Sequence, residues 1–424
     1  MALTLGFTTG AAILFFPLLG LNLGNAWPTH TQSHGTAQIF GWAGLFVMGI
    51  GFHVVPRIRN NPMSFPWPQR FVLSSMLIAI VTRFFGQTIT SYDINDSLLA
   101  VSTACLALGL GSFALFIGIT LLKGKTRHSS AELWIVVSLA WGIVAAGLDL
   151  MIIYRLIGSG SEIISTQING ALIEASLLGF ISNFIFGISL RVIPSFLNLP
   201  SPKLNLNRCS LVCINIGIAM VVLTHTNDLS DWLLLVGEVI KSVGFLTYIL
   251  SLRLYSRKKS PGKYIANIYG RFEWFLQVSF FWLLVGGLLE VWKSIGNTYS
   301  QFGPPVDLGA PAIHVVGLGF ITIMIIGMSS RMLPMFEAAV SPKGSLMDTI
   351  LVFINLSVLL RIISGTINFD LAWTGLALSG TLGTLSISLF GLVVWAVFRS
   401  SSSEKYVELT RYKTPLKIPT KNSN

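Results

Sequence analysis

The sequence predicts an all-α polytopic membrane protein of about twelve transmembrane helices, arranged as three parallel four-helix repeats. Three observations predict it. Hydrophobic residues make up 53% of the 424-residue chain and charged residues 11%, and mean hydropathy is +0.72. About a dozen apolar stretches approach the roughly twenty residues needed to cross a bilayer core. A glycine–proline pattern occurs three times, at offsets of 138 and 140 residues, and such self-similarity decides the architecture before any single element does.

The apolar stretches fall near residues 5–26, 36–55, 70–89, 97–122, 132–157, 171–194, 207–225, 231–254, 272–292, 311–333, 348–366 and 372–398. Four per repeat is an even number, so the copies share one orientation and are related by an axis along the membrane normal. The three copies of the pattern are FGWAGLFVMGIGFHVVPR from Phe40, GFISNFIFGISLRVIPSF from Gly179 and GFITIMIIGMSSRMLPMF from Gly319. Gly41 aligns with Gly179 and Gly319, Gly49 with Gly187 and Gly327, and Pro56 with Pro194 and Pro334. Small residues at such spacing let membrane helices approach closely. Arg83 and Arg361 occupy corresponding places in segments 3 and 11, where the middle copy has Val221. A single membrane domain is expected over 1–400, with repeats near 1–126, 127–262 and 263–400. A basic cytoplasmic tail over 401–424, expected to be disordered, follows it.

The net charge of +11 does not point to nucleic acid. Basic residues concentrate in alternate loops, among them Arg57, Arg59, Lys123, Lys125, Arg127, Lys203, Arg257, Lys258, Lys259, Lys263 and Lys343, and in the tail. The other loops carry mainly acids: Asp93, Asp96, Glu162, Asp228, Asp231, Asp307 and Asp370. The positive-inside bias puts both termini in the cytoplasm of a plasma membrane, bacterial inner membrane being the expectation, with anionic lipid as the basic tail's partner. The first apolar stretch lacks a charged n-region and is long enough to span, so no cleavable signal peptide is expected. Cys105, Cys209 and Cys213 form no CxxC or CxxCH, which argues against covalently attached haem.

Six histidines carry the candidate chemistry. His128 lies in a basic loop, His225 ends segment 7, and His30 sits in the polar stretch PTHTQSH. His34 and His53 are 19 residues apart on one segment, so about 28 Å separates them and they cannot share a metal. His34 begins segment 2 and His314 begins segment 10, at similar depth on equivalent helices. Two neutral imidazoles on facing helices suit the two axial positions of a haem iron. Hydrogen bonding at a helix end is the competing reading. His53, Arg191 and Arg331 form a repeated position before the prolines, read as a structural ring near lipid phosphate. Other ionisable groups at membrane depth are Arg83, Asp149, Arg155, Glu174, Glu238, Glu290 and Arg361. Glu174 occupies in repeat two the place of His314 and Thr36, where a carboxylate can fix a ligand histidine's tautomer. Arg83 and Arg361 are candidates for haem propionates or for pairing with Asp149 and Glu290.

Segment 2, HGTAQIFGWAGLFVMGIGFHVVPR from His34, resembles the NnrS family, whose helix reads HxHEMxFGF with a proline fifteen residues after the glycine. Thr36 replaces that motif's second histidine, and Ala37 and Gln38 replace its Glu-Met. Segment 10 is similar to the family's HxxxxGxxxxMxxGMxxR helix, with His314, Gly319, Met324, Gly327 and Arg331 in place. The resemblance implies a plan like subunit I of haem-copper oxidases, a haem-containing membrane protein linked to nitric oxide stress, and His34 and His314 as ligands of one b-type haem. Ala312 stands where that superfamily's high-spin haem ligand would be, and segment 6 has no histidine for copper. The expectation is therefore a bis-histidine haem protein with a redox partner and no copper, acting in nitric oxide response or electron transfer. A cofactor-free transporter or scaffold on the same fold is the alternative. An oxidoreductase of the haem-copper superfamily is the third reading.

Overall fold

Twelve apolar helices follow one another along the chain: α1 (Leu3–Leu18), α2 (Ala26–Ile58), α3 (Trp67–Thr88), α4 (Ile94–Leu122), α5 (Ser130–Ser159), α6 (Thr166–Leu197), α7 (Leu204–Asn227), α8 (Asp231–Leu252), α9 (Phe272–Thr298), α10 (Gly309–Phe336), α11 (Gly344–Thr366) and α12 (Ala372–Ser400). Among the described residues eleven of these are long and apolar enough to cross a membrane, and α1 is shorter. The computed structural model describes residues 2–24, 26–62, 66–88, 92–126, 129–256, 272–304, 308–337, 339, 341–366 and 371–401. His128, the basic residues Arg127, Arg257, Lys258, Lys259 and Lys263, the acids Asp307 and Asp370, the expected boundary near 262 and the tail beyond 401 lie outside them.

The same kinds of neighbour recur along the chain. The hairpins α3–α4, α7–α8 and α11–α12 pack side by side, α4 leads onto α5 and α8 onto α9, and α12 packs on α1 to close the ring. Inside it stand the helices that carry the repeated pattern. In α2, α6 and α10, 61%, 89% and 78% of the apolar core is buried, against 28–50% in the other spans. An inner helix faces protein on all sides and an outer one faces lipid along one side, which is why the outer helices expose residues such as Leu115, Leu288 and Trp395.

The repeated residues have identifiable work. The side of Gly179 rests on Trp141 and that of Gly319 on Trp282, where a Cβ would come to 2.7 and 2.8 Å. Each indole then donates to an asparagine of the next hairpin, Trp141 to Asn215 and Trp282 to Asn355, both at 2.8 Å. The prolines act through their carbonyls. The amides of Asn61, Leu199 and Ala339 donate to Pro56, Pro194 and Pro334 at 2.9, 2.9 and 3.0 Å, closing three helix ends alike. Asn60 and Asn198, at φ of 46° and 51°, supply the left-handed residue that such a cap uses. Each inner helix also carries a wide π turn at one place, Ala37–Gly44, Glu174–Ser182 and Val315–Thr322. The end at which α2, α6 and α10 begin is called the histidine end, and the other the proline end.

Two elements differ from the sequence expectation. The first helix, expected over 5–26, stops at Leu18. Gly20 adopts φ 68°, and the amides of Gly20 and Leu21 close back on Pro17 and Phe16 at 3.1 and 2.9 Å. α2 begins ten residues earlier than the expected 36, at Ala26. Thr29 and Thr31 fold their hydroxyls back onto the carbonyls of Ala26 and Trp27. These bonds compensate for the polarity that reads as loop, and they make His30 and His34 helical neighbours one turn apart.

Candidate functional site

α2 and α10 bring His34 and His314 face to face at the histidine end. The imidazole centres are 6.5 Å apart and the ring planes differ by 15°. His34 Nδ1 lies 2.8 Å from the carbonyl of Gly6, and His314 Nδ1 lies 2.7 Å from that of Ala310. A carbonyl only accepts, so in both rings the proton belongs on Nδ1 and the lone pair on Nε2. The pair has the tautomer that a metal-binding imidazole needs, set by backbone groups.

Two further elements complete the surroundings. Arg361 of α11 donates from Nη2 to His314 Nε2 at 3.3 Å. Its Nε is buried without a hydrogen-bond partner, and no carboxylate pairs with it among the described residues. α1 comes close because it presents glycine. A Cβ on Gly10 would overlap the His34 ring, and one on Gly6 would stand 2.9 Å from the amide of Gln38. Trp27 of α2 and Trp373 of α12 meet edge to face at 5.8 Å near the same end. Gly10→Val is therefore expected to push the His34 ring off its bond to Gly6, with an overpacking cost of about 1–3 kcal/mol. The apparent melting temperature reads the strain.

The residues present fit a haem iron in three respects. A metal held by two imidazole nitrogens at about 2 Å each places the ring centres about 6 Å apart, close to the observed 6.5 Å. In the tautomer described both Nε2 atoms carry a lone pair, and that of His314 accepts from Arg361. An arginine without a carboxylate beside them matches an anionic group such as a propionate. Arg361 has to leave His314 Nε2 when that lone pair becomes a ligand. Among the described residues no group of three or more His, Cys, Asp or Glu is placed to hold a metal ion.

The other expected site residues lie elsewhere. Arg83 reaches both oxygens of Asp149 on α5, at 2.9 and 2.6 Å, and Ser102 on α4 at 3.0 Å. It is therefore committed to an ion pair. Glu174 joins a separate cluster through Lys241 of α8 at 2.6 Å. That half-buried carboxylate pairs with a cation and not with a neutral imidazole. His30 donates to Ala26 at 2.8 Å, and His53 packs on Phe336 with ring centres 3.8 Å apart. Arg331 lies over Phe196 and Phe272 at 4.5 and 4.9 Å, pinning α6 and α9 at the proline end.

Sequence reasoning overlooked Lys241 and Lys293, whose signal was present. Each stands three residues after a glutamate, Glu238 and Glu290, and pairs with it. Gly6 and Gly10 were also overlooked, because nothing in a first apolar stretch says which neighbour its glycines will meet.

No individually curated protein matches the chain. The model of the family described as NnrS protein matches residues 4–401, and the chain belongs to that family.

Proposed function

We propose that this NnrS-family membrane protein holds one b-type haem between His34 and His314, and acts in nitric oxide response or electron transfer. The observation that carries the reading is the facing pair of imidazoles, 6.5 Å apart, each with Nδ1 on a backbone carbonyl, beside an arginine that meets no carboxylate among the described residues. Bound haem would supply one-electron redox chemistry, and nitric oxide would reach its iron only by displacing one of the two histidines. His34 and His314 hold it, the carbonyls of Gly6 and Ala310 orient the rings, and Arg361 balances a propionate. The charge distribution of the loops favours the histidine end outside and both termini in the cytoplasm, in a bacterial inner membrane. Haem near the outer face would then exchange electrons with a partner on that side. Copper is not part of the reading.

One observation favours the cofactor-free alternative, a transporter or scaffold: Arg361 already gives His314 a hydrogen bond. A reduced-minus-oxidised absorbance spectrum of the purified protein separates the two. The haem reading expects a Soret band and sharp α and β bands of a six-coordinate iron. Protein purified from haem-replete cells without a Soret band would sink it.

A further inference from the structure

Five charged side chains meet between α6, α8 and α9 in the half of the molecule nearest the histidine end. Lys241 Nζ stands 2.6 Å from Glu174 and 2.9 and 3.0 Å from the two oxygens of Glu238. Lys293 pairs with Glu290 on α9. The two groups act on each other electrostatically across the helix interface, Glu290 on Glu174, Glu238 and Lys241, and Lys293 on Glu174. α7 contributes His225, whose ring lies 3.5 Å from where a Cβ on Gly170 would stand, and which feels Lys293, Glu290 and Lys241. Asp228, just after α7, and Asp231, the first residue of α8, add only negative charge at the histidine end.

Exposure is greatest at Lys293, nearest the histidine end, and least at Lys241, the deepest of the set. The side chains of Lys293, Glu290, Glu174, Glu238 and Lys241 are 25%, 15%, 12%, 3% and 0% exposed. Counted at 1.5 Å per residue from the nearest helix end, Lys293 lies about 8 Å in and Lys241 about 15 Å in. Access is thus from the histidine end. Towards the proline end the way is closed by rings. Phe186 meets Phe245, Tyr248 and Phe320 at 6.4, 4.5 and 5.8 Å, and Phe280 meets Phe320 at 5.6 Å. The Tyr248 hydroxyl is itself spent on the carbonyl of Phe186 at 2.7 Å.

Three carboxylates against two ammonium groups leave one negative charge in surroundings where an uncompensated ion is costly. Lys241 is shared between Glu174 and Glu238. Glu238, 2% exposed, keeps Oε2 buried without a hydrogen bond although its partner is near. The other buried carboxyls of the described core differ in having an arginine each, Glu132 with Arg59 and Asp149 with Arg83. We propose that the cluster is a proton-binding site. It holds one exchangeable proton on the Glu174–Glu238 pair, taken from water at the histidine end, with a carboxylate becoming a carboxylic acid and hydronium becoming water. The aromatic floor makes it a proton store with access from one end, not a transmembrane path. The site stands apart from the histidine pair and does not depend on haem.

Infrared spectra of the purified full-length protein at neutral pH, in water and in deuterium oxide, test this. Wild type is expected to show one carboxylic-acid carbonyl band that shifts on deuteration. Glu238→Gln and Glu174→Gln, which each bring the cluster to neutrality, are expected to lose it. Lys241→Met, which leaves two carboxylates uncompensated, is expected to double it. His225→Gln is expected to leave it in place, since imidazole gives no such band. Absence of the band in wild type overturns the proposal, a result that needs no variant to fold. A band that survives in both Gln variants overturns it equally.

Discussion

Replacing Asp149 by asparagine is expected to destabilise the protein by about 3–5 kcal/mol, because it leaves Arg83 charged and alone inside the bundle. Both side chains are 1% exposed, and the guanidinium meets the carboxylate through two contacts of 2.9 and 2.6 Å. Among the described residues Ser102, at 3.0 Å, is the one further partner, and its own hydroxyl donates to Ala79. Neutral asparagine removes the counter-charge and keeps the volume, so the loss reports the charge imbalance. Removing both charges, as Arg83→Met with Asp149→Leu, is expected to recover most of it, since well-packed apolar residues often replace a buried pair without loss. The apparent melting temperature in detergent checks both. A single variant that melts with wild type would show that the pair contributes no stability.

The second large effect concerns the histidines. His34→Ala and His314→Ala are each expected to lower bound haem at least about tenfold, since loss of a mere orienting partner already costs 10–100-fold in metal sites. The retained fraction should change from a six-coordinate to a five-coordinate spectrum, and added imidazole should restore the former by filling the space left. Arg361→Met is expected to keep the six-coordinate spectrum while weakening retention, as its proposed partner is a propionate and not the iron. Full haem content with an unchanged spectrum in both alanine variants would reject the ligand assignment.

Most of the architecture was legible from the chain. A twenty-residue apolar run has few options in a bilayer, because every backbone group must be bonded within its own helix. The threefold pattern was equally legible, and its glycines and prolines now have distinct reasons: Gly179 and Gly319 accommodate tryptophans, and the three proline carbonyls close equivalent helix ends. The limits of α1 and α2 were harder. Capping at Gly20 and hydroxyl back-bonding at Thr29 and Thr31 are local geometry that an apolar count does not register.

The candidate site was legible in part. Repeat alignment placed His34 and His314 at one depth; membrane depth singled out Arg361 as a partner for a propionate or a carboxylate, and in the structure it reaches His314. The same alignment put Glu174 at the layer of His314, yet it belongs with Lys241. Equivalence under a threefold pattern gives height and not azimuth, so it cannot say which gap between helices a side chain enters.

By itself the sequence determined the all-helical membrane class and the approximate place of most helices, since these follow from hydrophobicity and the length needed to cross a bilayer. Only the tertiary structure decided the partners. Packing of α1 against α2 brings a glycine carbonyl to His34, and the α5 contact commits Arg83 to Asp149. Two short Glu–Lys spacings on different helices become one buried cluster with an odd charge. Charge pairing acts over a few ångströms between segments far apart in the chain. Its outcome is set by which helix faces meet.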